Sequence, residues 1–276
     1  MKPSRFSGAK DTECALSEAE VARAWDQNAD LWAEQVRKGW DTYREYYNNP
    51  AFLEFVGDPS GKTVLDAGCG EGYNTRLLAR RGARMTGVDI SGRMIELARR
   101  EEAREPLGIR YEVASFTDLP MFAASTFDAV VSFMALMDSP DFPSAVRALY
   151  RVLKAGGTLA FSMIHPCFMT RGFSWVRDES GKESALTVAQ YFNDEPWVER
   201  WKFSKAPDAA RAEPFAVPRF DRTLSHYLNT LVDSGFVLRR IGEPRPTEEV
   251  CQEHPWLRRW REHAPLFFYV RAEKPR

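Results

Sequence analysis

The 276-residue sequence has little cysteine, little excess charge and no long apolar run. The four cysteines, Cys14, Cys69, Cys167 and Cys251, are scattered without a C-x-x-C pair, which argues against a structural zinc site and a disulfide framework. The net charge of −1 lacks the basic excess typical of nucleic-acid binding. No apolar run approaches the ~20 residues of a membrane span, and the first residues lack the apolar core of a signal peptide. We therefore expect a cytoplasmic protein with no metal, nucleic-acid or membrane partner.

Apolar stretches suited to strands alternate with helical stretches, which predicts an α/β fold with a parallel, doubly wound sheet. A capping box, Ser17 with Glu20 three residues later, marks the start of an earlier helix. The predicted strands cover 63–68, 84–90, 109–115, 127–136, 158–164, 236–243 and 265–275. The predicted helices between them cover 74–82, 92–103, 142–157 and 223–235.

The same pattern divides the chain into four parts. An N-terminal helical cap covers 1–56, and the α/β core covers 57–165 and is completed by 223–276. Between them, 166–222 is rich in Phe, Trp, Arg and Pro and shows no clear periodicity, so we expect an irregular lid inserted after the fifth strand. Its aromatic residues either form a satellite core or line a flat, apolar substrate pocket.

The stretch "TVLDAGCGEG" joins a predicted strand to a helix through a glycine-rich turn, as in ligand-binding Rossmann-type units. A dinucleotide site expects G-x-G-x-x-G. Gly68 and Gly70 fit it, but Tyr73 stands at the last position and the third glycine, Gly72, comes one residue early. Asp66, just before the glycines, would repel a pyrophosphate and favour a cationic group such as an ammonium or sulfonium. The alternative is that Asp66 only caps the following helix.

A second acidic residue also supports a nucleoside ligand that carries a positive charge. Asp89 ends the next predicted strand, about 20 residues beyond the glycine loop, where a carboxylate is expected to bind a ribose diol. A ribose together with a cationic group indicates S-adenosylmethionine (SAM).

Two segments of the sequence resemble those of a known family. "VLDAGCGEGYNTRLLARRGARMTGVDISGRMIELAR" is similar to motifs I and II of class I SAM-dependent methyltransferases, and "FDAVVSFMALMDSPDFPSAVRALYRVLKAGGTLAFS" to their later motifs. The resemblance covers roughly residues 60–164 well. It implies a Rossmann-like, seven-stranded sheet whose last strand, "FFYVRAEKP", is antiparallel.

The resemblance also implies which residues contact SAM. In the family, an Asp after the third strand often meets the adenine amino group; here Ser115 takes its place, and a backbone contact from Ser115 and Phe116 could substitute. One of Tyr43, Tyr46 and Tyr47 is expected to meet the sulfonium through a cation–π contact, and Tyr47 is included in the predicted site. The full predicted set is Asp66, Gly68, Cys69, Gly70, Gly72, Asp89, Ile90, Met94, Ser115, Phe116, Phe133 and Tyr47.

His165 follows the fifth predicted strand and is the candidate general base, able to take a proton from oxygen or nitrogen. The alternative is that it bonds backbone groups and shapes the start of the insertion. His226 is a weaker candidate, expected mainly as a helix residue.

These observations together predict a SAM-dependent methyltransferase, active as a monomer or homodimer. Its acceptor would be an oxygen or nitrogen, with carbon and sulfur less favoured, of a small planar or hydrophobic metabolite. Two other interpretations stay open. One is a SAM-binding accessory protein without methyl transfer; the other is an NAD-type oxidoreductase, which Asp66 and Tyr73 disfavour.

Overall fold

A computed structural model describes residues 16–203 and 213–276, so Cys14 lies outside the described residues. The strands are β1 (Thr63–Ala67), β2 (Arg84–Asp89), β3 (Arg110–Val113), β4 (Phe127–Phe133), β5 (Leu153–Ile164), β6 (Ser174–Arg177), β7 (Glu183–Thr187), β8 (Trp197–Trp201), β9 (Phe215–Arg219), β10 (Val237–Gly242) and β11 (Phe267–Glu273). The α-helices are α1 (Glu18–Arg37), α2 (Asn49–Val56), α3 (Tyr73–Arg80), α4 (Gly92–Arg104), α5 (Phe142–Val152), α6 (Leu224–Asp233), α7 (Glu248–Glu253) and α8 (Arg258–Glu262). A π-helical turn covers Arg44–Asn48, and 3₁₀ turns cover Leu136–Asp138 and Pro255–Leu257.

The central sheet has seven strands in the order β10-β11-β5-β4-β1-β2-β3. β1 pairs in parallel with β2 and β4, while β11 is antiparallel to both β5 and β10. The predicted doubly wound, seven-stranded sheet with an antiparallel last strand is therefore confirmed. The buried side chains of β4 alternate between two apolar clusters: Val131 and Phe133 belong to one and Val130 to the other, so both faces of this strand are covered.

The helix α1 begins as the capping box predicts. The Ser17 backbone N–H donates to Glu20 Oε2 at 2.7 Å, and the Glu20 N–H donates to Ser17 Oγ at 3.4 Å. Long-range contacts then fix α1 against the start of α4. Asp26 Oδ1 accepts from Ser91 Oγ at 2.6 Å, and Asp30 pairs with Arg93 at 2.6 Å. These contacts hold α1 beside the carboxyl end of β2, where a ligand site is expected.

Two predictions about the elements are wrong. The predicted helix 142–157 ends at Val152, because Leu153 already has an extended backbone with a ψ of 138° and the following residues, including Gly156 with its left-handed φ of +77°, belong to β5. The insertion is not irregular, since β6–β7 and β8–β9 form two antiparallel hairpins. Most side chains of β6 and β7 face solvent, which removes the apolar alternation that identifies a strand from sequence.

The second hairpin packs its aromatic side chains on α1. Trp201 lies 6.4 Å from the rings of both Trp25 and Trp32, and Phe215 lies 5.5 Å from Trp32. This part of the insertion is therefore a satellite core. Across the described ranges, no helix combines the length and apolarity needed to cross a bilayer.

Candidate functional site

A cavity opens where β1, β2 and β4 end. It encloses about 910 Å³ of space, part of which is open to solvent. Its walls come from the glycine loop, the segments after β2, β3 and β4, the helix α1 and the π-helical turn. All the predicted cofactor contacts line this cavity except Gly72 and Tyr47.

Asp66 provides a buried carboxylate with an unmet hydrogen-bonding capacity. Its Oδ2 accepts from Thr75 Oγ1 at 2.6 Å, whereas Oδ1 is buried and has no hydrogen-bond partner among the described residues. Burial, with a smaller contribution from Asp89, raises the pKa of Asp66 to about 7. The residue that caps α3 is Gly72, so Asp66 is not a helix cap. An unpaired buried oxygen is costly, and a cationic ligand would satisfy it.

The glycine loop is held against β2 by Asp89. Its Oδ2 accepts from the Gly70 N–H at 2.8 Å and its Oδ1 from the Ser91 N–H at 2.9 Å. Burial raises the pKa of Asp89 to about 6. At Gly68, a Cβ would stand 2.3 Å from the Cβ of Ala135, so only glycine lets this turn approach the segment after β4.

Gly72 has a structural role instead of the predicted cofactor contact. Its φ is +84°, and a Cβ there would lie 2.5 Å from the Tyr111 hydroxyl. The glycine therefore allows the turn to pass Tyr111 at the start of α3, outside the cavity wall.

Arg44 is a site residue that the sequence did not reveal. Its guanidinium lies 4.2 Å over the Tyr73 ring and 3.5 Å from Glu71, and it lines the cavity. Within the described part of the chain, its buried Nε and Nη2 have no hydrogen-bond partner. A guanidinium with unused donors suits a carboxylate. No motif marks Arg44, because it lies in a π-helical turn whose place in the fold depends on distant contacts.

At the other end of the cavity, Ser115 contacts a second residue that the sequence did not reveal. Glu18, at the start of α1, lines the cavity beside Ile90, Met94 and Phe116. Its Oε1 accepts from Ser115 Oγ at 2.8 Å and from Thr117 Oγ1 at 2.5 Å. Further cavity residues that the sequence did not reveal are Val21, Trp25, Trp32, Tyr73 and Asp138.

Asp138 supplies a carboxyl group from the segment that follows β4. It ends the 3₁₀ turn and lines the cavity together with Phe133 and with Trp25 of α1. Burial raises the pKa of Asp138 to about 8; Glu199 raises it further, while Arg219 and a hydrogen bond from Trp25 oppose the shift. A carboxyl group with such a pKa can exchange a proton near neutral pH.

The structure places His165 in the core, not in the cavity. The side chain is 2% exposed; Nε2 lies 2.9 Å from Glu243 Oε1, and Nδ1 accepts from the Cys167 N–H at 3.2 Å. Nε2 is therefore the protonated nitrogen, and both ring nitrogens are engaged. Burial lowers the pKa of His165, although Glu243 opposes the shift. The prediction of a general base is corrected: His165 shapes the start of the insertion.

Tyr47 and His226 also lie elsewhere than predicted. The Tyr47 hydroxyl donates to the Pro244 carbonyl at 2.8 Å, and its ring, 2% exposed, packs 4.9 Å from Phe267. Tyr47 therefore joins the N-terminal segment to the end of the chain, and Tyr73 is the tyrosine that lines the cavity. His226 is exposed on α6, away from the cavity wall, which corrects its assignment as a weak catalytic candidate.

Comparison with known proteins identifies the domain that contains this cavity. Residues 65–161 match the family model described as "Methyltransferase domain". A structure of an S-adenosylmethionine dependent methyltransferase from Mesorhizobium loti superposes with a TM-score of 0.66 at 28% identity, covering 81% of this chain and 96% of that one. Residues 65–161 form a class I SAM-dependent methyltransferase domain.

Curated relatives of this methyltransferase domain include two proteins named ubiquinone biosynthesis O-methyltransferase. The one from Xanthomonas axonopodis pv. citri is 36% identical over 120 residues, which are 42% of this chain and 50% of that protein. The one from Chromobacterium violaceum is 32% identical over 143 residues, or 49% of this chain and 62% of that protein. The chain thus spans less than two thirds of either relative.

SAM is the cofactor of this family, and the residues of the cavity fit it. Asp66 Oδ1, which has no hydrogen-bond partner in the ranges 16–203 and 213–276, suits the ammonium group; the Arg44 donors that likewise lack one there suit the carboxylate, and Asp89 is placed at the strand end where a ribose is expected.

Proposed function

We propose that the chain transfers the methyl group of SAM to an oxygen or nitrogen of a small, planar or hydrophobic molecule. One observation carries the proposal: among the described residues, a buried carboxylate oxygen of Asp66 and two guanidinium nitrogens of Arg44 have no hydrogen-bond partner, and both side chains line the methyltransferase cavity. This pair suits a zwitterionic amino-acid group and does not suit a pyrophosphate. When bound, SAM supplies an electrophilic methyl group on its sulfonium.

The chain's own contribution is alignment and exclusion of water. Asp66, Arg44 and Asp89 would hold the cofactor at three separate groups, which orients its methyl toward the acceptor. Trp25 and Trp32 of α1 line the cavity together with Phe133, so part of its wall is aromatic and apolar. Such a wall favours a planar acceptor and leaves little room for competing water.

Oxygen is the accepting atom that the comparisons favour, because the two curated relatives are named O-methyltransferases. A hydroxyl must lose its proton when it is methylated. In place of His165, we propose Asp138 as the proton acceptor, since it lines the same cavity as Phe133 and carries a carboxyl group of raised pKa. Its raised pKa lets the ionised form take a proton near pH 8.

The test is methyl transfer from radiolabelled SAM to a panel of phenols, catechols and aromatic amines. We expect label in at least one phenol or catechol with the unaltered chain, none with Asp66→Asn, and roughly 10²–10⁴-fold slower transfer with Asp138→Asn at unchanged SAM affinity. Asp128→Asn, which changes a carboxylate paired with Lys154 outside the cavity, is the matched control and should keep its activity.

Two outcomes contradict the proposal in different ways. Saturable SAM binding without transfer to any acceptor would favour the interpretation as an accessory protein. Binding of NAD but not SAM would favour an oxidoreductase and remove the site assignment altogether. Full activity of Asp138→Asn at every pH would exclude Asp138 as the proton acceptor while leaving methyl transfer itself in place.

A further inference from the structure

The adenine end of the cavity lacks the acid that the family commonly has there. Ser115 occupies that position after β3, and a serine hydroxyl carries no charge to attract the exocyclic amino group of adenine. The Ser115 hydroxyl nevertheless has a hydrogen-bond partner at the cavity wall. It is 2.8 Å from Glu18 Oε1, which comes from α1, 97 residues earlier in the chain.

Glu18 is held in place by two hydroxyl groups that share one of its oxygens. Ser115 Oγ and Thr117 Oγ1 both donate to Oε1, at 2.8 and 2.5 Å, and the two hydroxyls lie 2.7 Å from each other. Both lone-pair directions of Oε1 are therefore used. In the part of the chain that the structure describes, Oε2 has no hydrogen-bond partner, and Glu18 lines the cavity.

The helix that carries Glu18 is itself fixed. Asp26 accepts from Ser91, the residue that caps α4, and Asp30 pairs with Arg93 on the first turn of α4. Met94, one turn into α4, lines the cavity close to these contacts. The position of Glu18 is consequently set by the same helix end that borders the nucleoside part of the site.

We propose that Glu18 recognises the exocyclic amino group of the adenine ring through Oε2, with Ser115 and Thr117 as the positioning residues. The carboxylate that the family usually supplies from the segment after β3 comes here from α1. This inference rests on the proposed SAM site and assigns α1 a direct part in cofactor specificity.

A carboxylate oxygen that accepts a hydrogen bond distinguishes adenine from hypoxanthine. The adenine amino group donates a hydrogen bond to a carboxylate oxygen, whereas the carbonyl of hypoxanthine at the same position would face that oxygen as a second acceptor. A charged hydrogen bond is then replaced by repulsion between two oxygen atoms. We expect S-adenosylhomocysteine to bind roughly tenfold or more tightly than S-inosylhomocysteine, which differs from it in this group and in the proton on the neighbouring N1.

The experiment measures both dissociation constants by isothermal titration with the full chain and with Glu18→Ala and Glu18→Gln. The expected ratio falls toward one in Glu18→Ala. It also falls in Glu18→Gln, because the side-chain amide can donate to the hypoxanthine carbonyl. Glu34→Gln, an exposed acid on the same helix, is the matched control and should keep the ratio of the unaltered chain.

The ratio distinguishes recognition from a merely structural role. If Glu18 only ties α1 to Ser115 and Thr117, its replacement weakens both ligands equally and leaves the ratio unchanged, which would overturn the inference. Equal affinity of the unaltered chain for the two ligands would overturn it as well. If the unaltered chain binds neither ligand, the proposed function itself fails. Thermal unfolding of each variant without ligand checks that α1 is still folded.

Discussion

The affinity for S-adenosylhomocysteine should fall as the pH falls through 7. This demethylated product carries the ammonium and carboxylate groups but no sulfonium, so it isolates the contact with Asp66. Because burial raises the pKa of Asp66 to about 7 in the ligand-free chain, acidification protonates the carboxylate that the ammonium needs. Only the ionised fraction is competent to bind.

The size of the effect follows from that pKa. The apparent dissociation constant scales as one plus the ratio of protonated to ionised Asp66. With a pKa of about 7, this factor rises about eightfold between pH 7.5 and pH 6. Asp89, whose pKa is about 6, adds at most a factor of about two at the acid end.

Isothermal titration in buffers from pH 6 to pH 7.5 measures this slope. Asp66→Asn is the control, since it keeps an acceptor for Thr75 but has no charge to titrate, and it should bind weakly with little pH dependence. The raised pKa also means that ionising Asp66 destabilises the ligand-free fold as the pH rises from about 4 to 7, so Asp66→Asn should be the more stable protein at pH 7.5. A flat profile in the unaltered chain, or the same slope in Asp66→Asn, would refute the reasoning.

Three further substitutions test residues that the structure moves out of the binding site. Tyr47→Phe should lower the free energy of unfolding by about 1 kcal/mol in urea titrations and leave ligand affinity unchanged; weakened binding would contradict its structural assignment. His165→Gln should cost roughly 1–3 kcal/mol of stability without altering the shape of the pH–rate profile. Gly72→Ala should destabilise by roughly 1–3 kcal/mol or more through backbone strain and a clash, and by more than Gly57→Ala, whose φ is +81° but whose Cβ has open space. Equal losses of stability in Gly72→Ala and Gly57→Ala would show that a clash with Tyr111 does not contribute.

The sheet and the glycine loop could be predicted because their signals are local. Each central strand is a short apolar run, and Asp66, Gly68 and Asp89 lie at or just after the ends of strands whose carboxyl ends meet at one edge of the sheet. These residues therefore reach one cavity whatever the rest of the chain does. The predicted ends of the elements were less accurate, as at α5, where the chain changes to the extended conformation at Leu153 although the composition alone would continue the helix.

The parts that could not be predicted depend on long-range packing. Arg44 and Glu18 reach the cavity only because α1 and the turn after it are docked on the sheet, through pairs such as Asp26 with Ser91 that no local pattern announces. His165 was correctly expected at the carboxyl edge. Whether its ring can act as a general base depends, however, on Glu243, which engages Nε2 and lies 78 residues further along the chain.

The most direct test of the central claim is a crystal structure of the chain with S-adenosylhomocysteine. We predict that its ammonium donates to Asp66 Oδ1, that its carboxylate meets Arg44, and that its ribose hydroxyls lie at Asp89. A nucleoside bound in the opposite direction, or bound outside this cavity with Asp66 Oδ1 still unpaired, would contradict the account.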